Sequence, residues 1–236
     1  MKCTKNYTFD QFYQALSKTT ISREPGSKYE YSTFGSALLG NILILKSNMS
    51  SYDELLEKRI LNVLDMNSTA INLSDEQKSR LASGHLSGRE LPLLNISNPI
   101  APGGGLYSSA SDMLKFISAN IGLIKTKLDG RMQESHLIRH STGLLIPTNI
   151  DASGNSTNIE LCIGLGWGIT TNLGNEIIWH SGATSGGYNA FMGFNPNTGR
   201  GIVVLCNTDV SDVDISHLGL SQNGKLSSLI WDLLSK

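Results

Sequence analysis

Two short stretches of this sequence gather side chains suited to proton transfer or polar recognition. One is Pro25-Gly26-Ser27-Lys28-Tyr29-Glu30-Tyr31-Ser32-Thr33-Phe34-Gly35, and the other is Trp179-His180-Ser181-Gly182-Ala183-Thr184-Ser185-Gly186-Gly187. Phenols, hydroxyls and an imidazole can move protons, and adjacent glycines let a ligand approach the backbone. Each stretch also has a purely structural reading: a Pro-Gly turn with aromatic residues stapling a helix start, and a Ser/Gly-rich connection between strands. Neither decides by itself. Other patterns are weaker. His136 and His140 have the i, i+4 spacing of two metal ligands on one helix face, but no Glu intervenes and no third ligand is evident, so a surface or capping role is expected. Gly164-Leu165-Gly166-Trp167-Gly168 opens no helix and is no dinucleotide fingerprint. Gly224-Lys225 lacks the glycine spacing of a phosphate loop, and Gly182-Ala183-Thr184-Ser185-Gly186 misses the nucleophile elbow by one position.

The elements that would carry these residues follow from periodicity. Thr8-Phe9-Asp10-Gln11 reads as a capping box opening a helix to about Lys18. Apolar residues Phe34, Ala37, Leu38, Ile42 and Leu45 mark a second helix, and Ser51-Tyr52-Asp53-Glu54 caps a third through Ile60. Ser109-Ala110-Ser111-Asp112 starts another, carrying Met113, Phe116, Ile117 and Ile121, with a shorter helix around Met132 to Arg139. Strands are expected over Ile159 to Thr170, Glu176 to Trp179, Tyr188 to Phe194 and Gly201 to Cys206. The five-residue turn Asn195 to Gly199 forces the last two to pair antiparallel. Leu226, Leu229, Ile230 and Leu233 suggest a closing helix on that sheet.

Composition bounds the class. The chain has 236 residues, 39% apolar, with 19 basic against 20 acidic residues. Balanced, scattered charge disfavours nucleic acid and anionic membranes as partners. No apolar stretch approaches the roughly 20 residues of a membrane-spanning helix. Nor does an apolar segment follow Lys2 and Lys5 as in a signal peptide. As written the chain reads as cytoplasmic; an export signal upstream would make it periplasmic or extracellular. Cys3, Cys162 and Cys206 have neither metal nor Cys-x-x-Cys spacing, so free thiols are expected. Neither repeats nor Pro-rich linkers appear, so residues 1–236 are expected to form a single domain.

Together and in this order, the two stretches resemble the serine beta-lactamase and penicillin-binding-protein family, in its class C-related branch of D-Ala-D-Ala peptidases and esterase-like members. Pro25-Gly26 through Tyr29, Tyr31 and Gly35 are similar to that family's tyrosine motif, and His180-Ser181-Gly182 to its Lys/His-(Thr/Ser)-Gly box. Supporting stretches are Ala101 to Met113, Gly164 to Trp167, and Gly186-Gly187-Tyr188 through Gly193-Phe194-Asn195-Pro196 to Asn207. The resemblance implies an α+β fold, a mostly antiparallel sheet flanked by helices with a helical region, and serine hydrolase chemistry without a cofactor or metal.

Acyl transfer needs a nucleophilic hydroxyl, a base and oxyanion donors. The resemblance makes Tyr31 the base and the Ala183 N–H an oxyanion donor. Thr33, His180, Ser181 and Gly182 would hold a small-molecule or peptide substrate. A phenol of ordinary pKa is only about one part in a thousand ionised at pH 7, so nearby cations must favour its phenolate. Thr33 stands where many members have Asn, and reaches less far. His180 replaces lysine, giving a cation only partly protonated at neutral pH. Both point to the peptidase or esterase-like branch.

The nucleophile is the main departure. None of the thirty serines is followed by lysine three positions on, whereas the family signature is Ser-x-x-Lys. The expectation is therefore an N-terminally truncated member, with the nucleophile, its helix and the first strands upstream of Met1, and no appreciable activity alone. A non-catalytic member that binds peptides or proteins is the alternative. Either way, self-association or a partner N-terminal segment would cover the apolar surface left open.

Overall fold

The computed structural model describes residues 8–94, 96, 99–150, 156–172, 174–208, 230 and 233–234. Contacts divide the chain into two compact units, Met1–Leu81 with Leu94–Ser109, and Ala82–Leu93 with Ala110–Lys236.

In the first unit, α1 (Phe9–Ser17) begins at the expected capping box: Thr8 Oγ1 accepts from the Gln11 N–H, and Gln11 Oε1 accepts from the Thr8 N–H. Its Phe12 is fully buried and stacks on Phe34 with centroids 4.5 Å apart. Helix α2 (Thr33–Ser47) starts at Ser32, whose hydroxyl accepts from the Gly35 N–H, and ends at Asn48 in the left-handed region. Helix α3 (Tyr52–Leu56) continues through a π-helical turn, Glu57–Leu61, into α4 (Asn62–Leu64). Ser51 caps α3, but Glu54 does not close the box. Its carboxylate instead takes Lys58 and the Ser50 N–H and hydroxyl, which hold it down to about 2. Helix α5 (Asp75–Ser79) has a complete box between Ser74 and Gln77. A single 3-10 turn, Ala101–Gly103, packs on α2 at close range. A Cβ on Gly40 would lie 2.2 Å from Pro102 Cβ, and one on Gly103 would lie 2.5 Å from the Thr33 carbonyl.

The second unit holds the hairpin β1 (His85–Leu86) and β2 (Arg89–Glu90), helices α6 (Ala110–Ile121) and α7 (Asp129–Ser135), and a six-stranded antiparallel meander. Its strands are β3 (His140–Ile150), β4 (Ser156–Ile163), β5 (Gly168–Asn172), β6 (Asn175–Thr184), β7 (Tyr188–Asn195) and β8 (Arg200–Cys206), adjacent in that order. The middle of the sheet, around β5 to β7, is buried on both faces, as alternating side chains require when both sides are covered. Ile177, Trp179 and Phe191 face Ile230 and Leu234, whereas Ile178, Ile169 and Phe194 face Ile117 and Trp167. Burial of each such side chain contributes about 1.5–3 kcal/mol.

Several expectations need correction. The strand expected over Ile159 to Thr170 is two strands, β4 and β5, folded back at Gly164 to Trp167, where Gly166 has φ +82°. An apolar run can conceal such a turn because periodicity does not register a reversal. The helix expected to Arg139 stops at Ser135, and His140 begins a strand that periodicity did not reveal. The closing helix falls mostly outside the described residues; of those described there, Ile230 and Leu234 are buried.

Candidate functional site

Tyr31 lies one residue before the N-cap of α2, and Thr33 is that helix's first residue. The turn leading in is closed by a bond from the Ser27 N–H to the Glu24 carbonyl. Tyr31 is 66% exposed. Burial, and then Tyr31 beside it, raise the pKa of the Tyr29 phenol. The start of a 15-residue helix carries partial positive charge from its unpaired N–H groups, which favours an anion by about 0.3–1 kcal/mol. Local geometry at Tyr31 is thus held by a cap, a turn and the glycine contact of Gly103 with Thr33.

His180, Ser181, Gly182 and Ala183 lie consecutively on β6 in the second unit. They follow Trp179, whose indole has room because glycines sit opposite it on both neighbours. Gly168 is its partner on β5 and Gly193 its partner on β7, and a Cβ on either would lie within 3.2 Å of Trp179 atoms. Strand β5 accompanies β6 only as far as this Gly168–Trp179 pair. Beyond it, His180 to Thr184 pair with Met192 to Tyr188 on β7. Among the described residues no strand lies on their other edge. The Thr184 carbonyl accepts from the Gly187 N–H inside the β6–β7 turn. Strand alternation then sends the Gly182 N–H toward β7 and the Ala183 N–H toward the open edge. A Cβ on Gly182 would meet nothing within 4 Å.

Burial lowers the pKa of His180, and a hydrogen bond with the Ser181 backbone acts the other way, so the ring takes up a proton less readily than a free imidazole.

His136 and His140 do not share a helix face. His136 is instead wedged between Trp167 and Phe194, with centroids 5.7 and 5.0 Å away, and its Nε2–H donates to Asn120 Oδ1 at 2.8 Å. Burial pushes its pKa down to about 4. Of the expected surface or capping role, the capping part holds, since His136 is the C-cap of α7 and its N–H donates to the Gln133 carbonyl; its ring is half-buried rather than on the surface. Among the described residues, no three His, Cys, Asp or Glu side chains cluster as metal ligands would, and no helix is long and apolar enough to cross a membrane.

Sequence reading did not single out the segment Ala82 to His85, which is seated against the β6–β7 turn.

A family model described as Beta-lactamase matches residues 2–220. A beta-lactamase of Psychrobacter immobilis is 27% identical over 207 residues, covering 80% of this chain and 51% of that protein. Protein flp of Staphylococcus aureus is 25% identical over 240 residues, covering 98% of this chain and 44% of that protein. The fold is shared with a beta-lactamase/D-alanine carboxypeptidase from Pseudomonas syringae: TM-score 0.68, 21% identity, 86% of this chain and 61% of that one. The chain spans about half or less of the length of the curated relatives it matches.

Proposed function

The chain belongs to the beta-lactamase family, and from that membership we propose that it carries the substrate-strand and proton-accepting side of an acyl-transfer site. The substrates are β-lactams, D-Ala-D-Ala peptides or esters. The observation that carries this reading is the open edge of β6 beyond Trp179. A peptide-like ligand adds to such an edge as one more strand, its amides bonding to backbone groups that point away from β7. Ser181 offers a hydroxyl to a carboxylate or carbonyl, and Gly182 leaves space for the ligand to lie flat. The Ala183 N–H is the oxyanion donor and Tyr31 is the base, with Thr33 contributing a hydroxyl. Burial lowers the pKa of His180, which suits the ring to hydrogen-bonding a ligand.

No serine is followed by lysine three positions on, so these 236 residues alone hydrolyse substrate slowly or not at all, since losing a nucleophile removes most of the power of such a unit. The same open edge also supports the second reading, a non-catalytic peptide-binding member. Nitrocefin and a short-chain nitrophenyl ester are the probes. Negligible turnover with measurable binding of N-acetyl-D-Ala-D-Ala agrees with the proposal. Turnover that Tyr31→Phe abolishes would overturn the inactive reading and reveal a nucleophile among these residues. Absence of any ligand binding would remove the edge from consideration.

A further inference from the structure

Among the described residues the open half of β6 pairs on one side, with β7, and its far end is the β6–β7 turn. The segment Ala82 to His85, together with the β1–β2 hairpin that follows, lies against the β6–β7 turn and the end of β8. Contact is so close that side chains are excluded. A Cβ on Gly84 would lie 1.8 Å from the Gly186 carbonyl oxygen, although Gly84 itself has no left-handed φ that would call for glycine. A Cβ on Gly187 would lie 2.5 Å from both the N and the O of His85. Tyr188, the first residue after the turn, donates its hydroxyl proton to the Ala82 carbonyl at 2.8 Å. The same segment is tied to the end of β8. The His85 N–H donates to the Asn207 carbonyl at 2.8 Å, Asn207 Nδ2 donates to the Ser83 carbonyl at 2.9 Å, and His85 bridges Thr208.

We propose that Gly84 and Tyr188 are positioning residues. They clamp the β6–β7 turn to the Ala82–His85 segment and so hold the backbone of Ser181 to Thr184 in the geometry a strand-like ligand needs. This rests on the reading of β6 as the ligand-binding edge. The physical basis is loop closure at the free end of a hairpin. Gly182, Ala183 and Thr184 are exposed, and among the described residues their pairing is with β7, up to the turn that ends it. A turn free to sway would let their amides fray on the open side. Clamping it keeps the Ala183 N–H aimed outward before ligand arrives, which lowers the ordering cost of binding.

Hydrogen exchange of residues 181–184, read without ligand at the Gly182 and Thr184 amides that face β7, decides the clamp. In Gly84→Ala the added methyl must displace the turn, and exchange there accelerates about tenfold or more. Tyr188→Phe keeps the ring and removes the hydroxyl, giving acceleration of about threefold with a Tm within about 2 °C of the parent. Gly88→Ala on the same hairpin carries the strain of φ +71° but meets nothing within 4 Å, and leaves exchange at 181–184 unchanged. Affinity for N-acetyl-D-Ala-D-Ala, followed by amide chemical shifts, falls in the order parent, Tyr188→Phe, Gly84→Ala. Unchanged exchange at 181–184 in Tyr188→Phe, or equal acceleration in Gly88→Ala, overturns the clamp. If exchange responds as expected but the parent binds no dipeptide, the clamp holds and the ligand reading fails.

Discussion

Strand β6 joins two regions of opposite character. From Asn175 to Trp179 it pairs with β5, and Ile177, Ile178 and Trp179 are buried among apolar side chains on both faces of the sheet. From His180 to Thr184 it pairs, among the described strands, with β7 alone, and Gly182, Ala183 and Thr184 are exposed. Ten residues of one strand thus divide into a half that stabilises the sheet and a half that keeps backbone groups available. Register makes the division: β5 stops at Gly168 opposite Trp179, which also places the bulkiest side chain at the boundary. The difference shows how a rigid core can present an unpaired edge, since the exposed half inherits its direction from the buried one.

The contrast can be broken most strongly in the buried half. Trp179→Ala should destabilise the protein by about 3–5 kcal/mol in chemical denaturation, the range for removing a large aromatic from a core. A loss below about 1 kcal/mol would show that the indole is not part of the sheet's support. Proline then probes the two edges of the exposed half. Gly182→Pro removes an N–H bonded to β7 and should cost about 3 kcal/mol, whereas Ala183→Pro removes one facing the open edge and should cost about 1 kcal/mol or less. Equal costs for the two would contradict the alternation assigned here. Ala183→Pro should also abolish dipeptide binding.

Acid tests the buried side through His136, which packs on Trp167 and Phe194 behind Ile178. Its folded pKa, about 4, lies below the ordinary value of about 6.5, so the unfolded chain binds more protons between those limits. Stability is therefore full above about pH 6.5 and declines as pH falls toward 4. The loss is roughly 1–2 kcal/mol once solvent screening of a half-buried ring is allowed for. Thermal melts across that window should show the slope, and His136→Phe should flatten it. The smallest effect belongs to Tyr31→Phe. With a ring 66% exposed, it should change stability by less than about 0.5 kcal/mol, so any loss of ligand binding or turnover in that variant is chemical in origin.

Much of this was legible in the residues. Thr8 and Gln11 specify a capping box through local hydrogen bonds, and the structure has it. Asn195 to Gly199 specify a tight reversal, and β7 pairs with β8 across it. The tyrosine and His-Ser-Gly motifs pointed to the family that the whole-chain match shows. Other features left little trace. The reversal at Gly164 to Trp167 was hidden inside an apolar run, and β3 lacked the clean alternation of a half-buried strand. Two histidines four residues apart suggested one helix face, yet α7 ends between Ser135 and His136.

The sequence by itself determined the local elements whose signals act within a few residues, caps, turns and strand alternation, and with them the family and the motif residues Tyr31 and His180 to Ala183. Only the tertiary structure decided which half of β6 is open, that burial lowers the pKa of His180, and that Gly84 seats against Gly186. Those depend on register and on packing between segments about a hundred residues apart along the chain. Short-range propensities do not encode such pairings; they are selected by the burial and close contact they allow.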